Sequence, residues 1–515
     1  ELAACLGPRV IGREWRAVTA AAGLTVRADL LGDLARAGLV KGGERRWRFL
    51  HPATVPALLE GMVRAGRSGF ATVFDVLQPE GEGIRDPLRT RDLVVRWSAF
   101  GTPTVRARVA LGICHGLLGD RETGASVLKD VALDPEAPTL LRLDAASRLP
   151  ASAFDGDAFD LPSWAEAVAT TADERRLAAM VGIGVRVHAS RSEVVRRLEA
   201  SLMGGRGDKR IRIAAESLAI AVQASMDRAP VHIPRSEAVV LRAAALGDID
   251  LELDARHTLA CTQGWSGDKR AAIGGFLAAA EVARRAGRIV SQAACLSQAT
   301  ICAGDIDVGE TRSLALASLA CALTTGTPTA ARICGRLAVH HARLGRFAAA
   351  EAWLAAGHRN RKGTYRTEDS RLEVCLLAGA AREALVAWEA SENVHVPPAE
   401  MWMLSLFAIE AAWMCRDRPT STLAAELADL DLGGQGRAAA LGLLARMGQG
   451  SREEADTALL AVAPGNMRYH VRRERSLAGL PVPATAPVRI QGLDVPDEDT
   501  MLRAFARRLP HLGDP

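Results

Sequence analysis

No apolar run in this chain approaches the roughly 18–20 residues that a helix needs to span a bilayer, so no membrane-spanning helix is expected. Lysine is nearly missing: only Lys41, Lys129, Lys209, Lys269 and Lys362 stand among 64 basic residues. The arginine excess reads as a GC-rich coding bias before it reads as phosphate chemistry. The nine cysteines are odd in number, scattered and free of any CxxC pair, which argues against a zinc site or a disulfide framework. Cys295, Cys302, Cys321 and Cys334 sit among Ala and Leu, as buried thiols of a reducing cytoplasm do. GxxxxGK[ST], GxSxG, HExxH and the kinase catalytic loop are all missing, which removes the commonest routes to nucleotide, acyl and metal-hydrolytic chemistry. The stretch from Gly204 to Arg210 fails the phosphate-loop spacing and its final hydroxyl, and reads as an inter-helix loop. No basic, apolar leader opens the chain. It starts at Glu1 without an initiator Met, and its first residues read as the middle of a helix, so a longer parent protein is expected.

What is present is globular. The 515 residues are 49% hydrophobic and 24% charged, and 64 basic less 60 acidic side chains leave a net charge of +4. That balance is too even to point to nucleic acid or a membrane surface. The length exceeds one ordinary domain, so several cores or a repeat array are expected.

Ala, Leu, Arg and Glu dominate, with apolar residues recurring at the 3.6-residue period. Around Ile333, the residues Leu337, His341 and Leu344 continue an inner face flanked by Arg336 and Arg343. Breaks fall at 79–83, 155–162, 204–208, 229–234, 326–328 and 395–398. Thr102-Pro103, Ser266-Gly267-Asp268 and Thr327-Pro328 supply cap-like oxygens or an N1 proline. The segments between breaks pair into helical hairpins.

Glycines closing the first helix of each hairpin are expected at Gly119, Gly287, Gly345, Gly379 and Gly450. Gly345 to Gly379 is 34 residues, the tetratricopeptide period, while Gly287 to Gly345 is 58 and fits no multiple. Leu111-Gly112, His115, Gly119, Gly124 and Leu128 resemble one tetratricopeptide unit. Leu337-Ala338, His341, Gly345, Ala350, Leu354 and Gly357 resemble another, and Cys375, Gly379, Ala384 and Trp388 a partial third. Small residues let the two helices of a hairpin approach, and large ones fill the holes between hairpins. Such arrays leave a concave face for proteins or peptides.

The first sixty residues differ. Helices are expected over 13–23 and 26–37, then a Lys41-Gly42-Gly43-Glu44 turn and a strand at Arg46-Trp47-Arg48-Phe49-Leu50, with a helix opening at His51-Pro52. This layout, with Leu31, Leu34, Gly38-Leu39-Val40, Trp47, Phe49 and His51, resembles the winged helix of STAND-class signal-transduction ATPases, relatives of the maltose-regulon activator. The opening residues Leu2 to Gly7 resemble the helix that begins that module. In that family the histidine after the Phe-x-His strand contacts the phosphates of ADP held by a neighbouring nucleotide domain, and His51 matches it. An imidazole suits the task, since it donates to a phosphate oxygen near neutral pH and gains charge assistance when protonated. The competing reading is a histidine that caps or packs the helix behind Pro52.

Other candidates read as structural. His115 and His341 take a repeat position normally held by a packing tyrosine. His340 and His341 project about 100° apart on a helix and cannot share one metal from one face. His358 lies in the same hairpin. Asp155, Asp157 and Asp160 with Glu136, and likewise Asp305, Asp307 and Glu310, lack calcium-loop register. Arg468, Arg472, Arg473 and Arg475 with Tyr469 and His470 read as a solvated helix face interrupted by Glu474. Arg27, Arg36, Arg45, Arg46 and Arg48 could meet DNA phosphates, but the family uses this module for packing against its ATPase, and DNA is not expected.

The expected architecture is all-α: a winged-helix module at 1–66, linker helices at 67–100, tetratricopeptide-like repeats at 101–465, and a tail at 466–515 with one short helix. The resemblance implies the sensor arm of a bacterial, cytoplasmic STAND-type protein. Its repeats would bind a small inducer or a protein partner, and its activated state would oligomerise. ATP or ADP with magnesium would be held only by an upstream domain, and this chain itself would not be an enzyme. The alternatives are a stand-alone tetratricopeptide-like scaffold and a DNA-binding regulator using residues 1–66.

Overall fold

The computed structural model describes residues 1–65, 68–80, 82–149, 160–186, 191–202, 207–306, 309–325, 330–360, 368–391, 398–430, 432, 434–464, 467–485 and 493–506. Among them are 28 helices and one three-stranded sheet, and no described helix is long and apolar enough to cross a membrane. The chain divides into two compact units, one of Glu1–Gln223 with Pro234–Ala255, the other of Ala224–Ile233 with Arg256–Pro515.

The first unit opens with α1 (Leu2–Leu6), β1 (Arg9–Ile11), α2 (Gly12–Ala21), α3 (Leu30–Arg36), β2 (Val40–Gly43), β3 (Arg46–Phe49) and α4 (Thr54–Arg64). β1 is three residues long, too short to leave a periodic trace in sequence, and it was not expected. The second expected helix is also shorter, because turn residues precede Leu30. The sheet order is β1-β3-β2, antiparallel throughout, with Val10 opposite Trp47 and Lys41 opposite Arg48. The two-residue period of β3 buries Trp47 and exposes Arg46 and Arg48. Trp47 meets Trp15 and Phe49 edge-on, with ring centroids 6.0 and 5.4 Å away.

Gly12 starts α2 hard against the hairpin, its N–H donating to the Arg45 carbonyl at 2.9 Å. A Cβ there would lie 1.7 Å from the Glu44 carbonyl oxygen, so only glycine fits without moving backbone. Next come α5 (Phe70–Leu77) and α6 (Pro87–Phe100). Phe70, Phe74 and Trp97 share one continuous core with Leu6, Val10 and Trp47. The segment expected as a linker is thus packed into the same core as the residues before it.

The hairpin α7 (Val105–Leu117) and α8 (Arg121–Leu133) follows. Its start is capped by Thr104, two residues beyond the expected Thr102, and Asp120 caps α8. A Cβ on Gly112 would meet Leu128 Cγ at 2.6 Å and one on Gly124 the Gly112 carbonyl at 2.8 Å. These are the small-residue positions the repeat pattern named, and they set how closely the helices approach. The run continues through α9 (Thr139–Ser147), α10 (Leu161–Val168), α11 (Ala172–Arg186) and α12 (Arg191–Leu202). The divisions between the units fall inside α13 (Lys209–Asp227), α14 (His232–Ala245) and α15 (Ile249–Trp265).

The second unit holds α16 (Lys269–Arg285), α17 (Ile289–Asp305), α18 (Thr311–Thr325), α19 (Ala330–Arg343), α20 (Phe347–Arg359), α21 (Glu368–Leu377) and α22 (Ala381–Ser391). Beyond these lie α23 (Pro398–Cys415), α24 (Thr420–Ala428), α25 (Gly434–Arg446), α26 (Arg452–Ala461), α27 (Tyr469–Ala478) and α28 (Glu498–Phe505). Sequence neighbours pack as hairpins, and alternate helices touch in succession: α17 on α19, α19 on α21, α21 on α23, α23 on α25, α25 on α27. Gly119, Gly287, Gly345 and Gly379 close helices with positive φ as expected, but the place expected of Gly450 is taken by Gly448, with φ of 71°. The tail carries two helices where one was expected, and both pack into the unit: α27 extends the alternate row and α28 docks on α18 and α20. All nine cysteines are free thiols, and burial pushes Cys261 up to about 12.

Replacing Gly12 by Ala should cost about 1–3 kcal/mol, because the hairpin backbone must shift. Gly116→Ala, in a helix with open space at that position, should be neutral or mildly stabilising. Urea unfolding of the two variants beside the parent chain reads the difference; equal midpoints would contradict the packing described.

Candidate ligand pocket on the alternate helices

The alternate helices of the second unit bring their charged residues together. Asp305, the last residue of α17, receives Lys269 Nζ at 3.1 Å and lies 3.9 Å from Arg336 Nη1. Burial works to raise its carboxyl, but the charges of Lys269, Arg336 and Arg468 prevail and hold it well below the carboxylate range. Arg343, one helical face along from Arg336 on α19, donates Nε to Glu373 Oε1 at 2.9 Å and Nη1 to the Gly304 carbonyl at 2.7 Å. Its guanidinium carbon also sits 3.6 Å from the centre of the Tyr469 ring, a cation–π contact between α19 and α27.

Asp305, Arg336, Arg343, Glu373 and Tyr469 line a cavity of about 30 Å³ together with Val339, Ser370, Met403, Phe407 and His470. That volume holds about two water-sized groups. Burial, then the nearby charges of Arg343 and Arg468, push His470 down to about 3, so it is a neutral imidazole packed 4.6 Å from the Phe407 ring. Two arginines of the lining, Arg336 and Arg343, face two carboxylates, Asp305 and Glu373, and Lys269 pairs with Asp305 from outside it. The guanidinium groups and the Ser370 hydroxyl give this weakly hydrated space polar donors for a small polar group of a ligand.

Beside it lies a second buried network. Arg446 donates to Glu410 and Glu474, each at 2.8 Å, and Arg473 donates to both oxygens of Glu410, at 2.6 and 2.9 Å. Arg475 is buried and donates to the Leu459 and Val462 carbonyls. The 468–475 cluster is therefore not the solvated face expected from its alternating charges: Arg473, Glu474 and Arg475 are bound partners inside the array.

His51 follows β3 on the surface of the first unit, where its Nδ1 accepts from the Ala53 N–H at 3.3 Å. Nδ1 as acceptor places the proton of a neutral ring on Nε2. On α3, Asp33 binds both Arg27 and Arg36. His115 joins Asp120 at 3.0 Å, and His341 is buried against Glu498, so both repeat-position histidines are held by carboxylates. The rings of His340 and His341 stand 5.8 Å apart, edge to face, and His358 is exposed. Among the described residues no group of three or more His, Cys, Asp or Glu is placed to hold a metal. Asp155, Asp157 and Asp307 lie outside the described residues.

Sequence reasoning named Arg336 and Arg343 only as flanks and missed Ser370 and Glu373. The available signal was the seven-residue step between the two arginines, which puts them on one face of α19.

No family profile matches this chain, and no curated protein does. Among solved structures, one similar chain is a Signal Transduction ATPase with Numerous Domains (STAND) protein with a tetratricopeptide repeat sensor from Pyrococcus horikoshii. The match has 12% identity and a TM-score of 0.29, and spans 80% of this chain but 59% of that one. A TM-score of that size carries no argument for fold or function.

Two outcomes follow from these networks. Glu410→Ala strips two arginines of their shared partner and should cost about 3 kcal/mol in urea unfolding. His470 is neutral when folded but takes a proton below about 6.5 when unfolded, so stability should rise with pH between about 3 and 6.5. His470→Gln should reduce that slope by up to about 1.4 kcal/mol per pH unit. Parallel slopes in unfolding midpoints from pH 4 to 6.5 would mean that His470 is not buried neutral.

Proposed function

We propose that this chain is the sensor arm of a STAND-type switch protein: its helical array receives a small inducer or a protein partner, and its N-terminal module relays that event to a nucleotide-holding domain outside these residues. The observation that carries this reading is the pocket. It gathers residues from α17, α19, α21, α23 and α27, which are separated by up to 165 positions (305 to 470), so a ligand there bears on several hairpins at once. The order α1-β1-α2-α3-β2-β3 with a β1-β3-β2 sheet supports reading residues 1–66 as a winged helix. His51 leaves that module with Nε2–H as its donor, which fits a contact to phosphate oxygens. The pairing of Arg27 and Arg36 with Asp33 supports packing against another domain over duplex binding.

In this reading ADP holds the switch closed with His51 on its phosphates. A ligand in the array binds the open form better than the closed one, His51 leaves, nucleotide exchanges and the ATP form assembles. Without that difference in affinity nothing shifts.

The test is the nucleotide content of the protein made from the whole reading frame, beside the 515-residue chain. ADP bound only by the longer protein, and lost on His51→Ala, is the expected result. Unchanged retention in the variant would remove the latch role, and no nucleotide in either preparation would leave a protein-binding scaffold.

A further inference from the structure

Helix α28 is short, tethered and read by buried side chains. It spans Glu498–Phe505, eight residues, whereas an isolated helix needs about 12–15 to be even marginally stable in water. Its order therefore depends on the groove it occupies, formed by α18, α19 and α20. Residues 480–497 connect it to α27, a tether with Pro481, Pro483, Pro487 and Pro496.

The groove recognises three features. The first is a carboxylate in the opening turn: Glu498 Oε1 accepts from Trp353 Nε1 at 2.9 Å and His341 Nε2 at 2.5 Å, while Oε2 accepts from Arg312 Nε at 2.5 Å. Trp353 is 0% and His341 3% exposed, so two of these donors are built into the core. The burial of Glu498 works against its charge, but Trp353, Arg312 and His341 hold its carboxyl below the ordinary range. The second feature is an apolar stripe three and seven positions on, Met501 and Phe505, both buried in the core shared with Leu316, Ile333, Leu337 and Leu354. The third is a carbonyl at the far end: Asn360, fully buried, donates Nδ2 to the Phe505 carbonyl at 2.8 Å. Donors at both ends and an apolar floor between them are the parts of a helix-in-groove site.

We infer that the groove between α18, α19 and α20 is a helix-binding site, held in cis by α28, whose partner is an amphipathic helix of another protein carrying an acidic residue in its first turn and apolar residues three and seven positions later. α28 is the displaceable occupant. Because α28 belongs to the same chain its binding is intramolecular, so an incoming helix succeeds only where it binds more tightly or where α28 is weakened. This inference does not rest on the nucleotide reading above: the groove shares only α19 with the pocket, and its ligand is a helix.

The test uses the full chain and a fluorescein-labelled peptide of residues 494–506 as the probe. The unmodified chain should bind it weakly by anisotropy. Phe505→Ala in the chain, which loosens the cis helix, should tighten binding at least tenfold, and Glu498→Gln in the peptide should reverse most of that gain. Binding no tighter to the Phe505→Ala chain, or indifferent to the peptide's carboxylate, would overturn the inference. Hydrogen exchange on the unmodified chain supplies an independent reading. Amides of α28 should exchange at least tenfold faster than those of α19; equal rates would show a helix that leaves only when the whole unit unfolds.

Discussion

The second unit depends on keeping its buried carboxylates paired. Asp305, Glu373, Glu410 and Glu474 are each almost inaccessible, and each is held by a cation from another helix. Arg446 joins α23 to α27 through Glu410 and Glu474, and Arg343 ties α19 to α21. A buried carboxylate that loses its partner costs several kcal/mol, so these links hold the alternate helices in one arrangement. The helix interfaces around them are lined largely by alanine, including Ala315, Ala330, Ala338, Ala350 and Ala356. Alanine has no side-chain entropy to lose and lets helices approach, but it offers few atoms to interlock. Position along the array is therefore set where the large or charged groups meet.

The same chemistry serves two ends. Where every charge is matched, as between Arg446, Arg473, Glu410 and Glu474, the result is a structural clasp. Where the paired groups stand further apart, around Asp305, Arg336, Arg343 and Glu373, the clasp leaves a small polar cavity. The neutral His470 lies between them, lining both spaces. Its burial beside arginines makes protonation costly, which keeps its tilted ring contact with Phe407 that of a neutral imidazole. The pocket and the clasp are thus neighbours on one row of helices, and a ligand in the first bears on residues that hold the second.

Several elements were legible from local pattern alone. The Gly112–Gly124 approach, the Asp268 cap and the positive-φ glycines at 287, 345 and 379 follow from single-residue chemistry. The strand carrying Trp47 and Phe49 was visible through its two-residue alternation, and the glycine-containing turn before it through Gly42 and Gly43. Strand β1 was not, since three residues carry too little periodicity. Arg473 and Glu474 were misread because alternating charge on a helix looks the same whether it faces water or a partner. The partner here, Glu410, lies 63 residues earlier.

Composition and short-range spacing by themselves determined that this chain folds as close-packed helical hairpins with a small sheet-bearing module at its start. Those features rest on interactions between residues a few positions apart, so the order of residues suffices to state them. The tertiary structure alone decided which charges are buried, that α17, α19, α21, α23 and α27 meet around one cavity, and that eight residues near the C-terminus fill a groove built some 150 positions earlier. These depend on which distant side chains become neighbours, and a carboxylate such as Glu498 has no detectable destination until Arg312, His341 and Trp353 have been folded together around it.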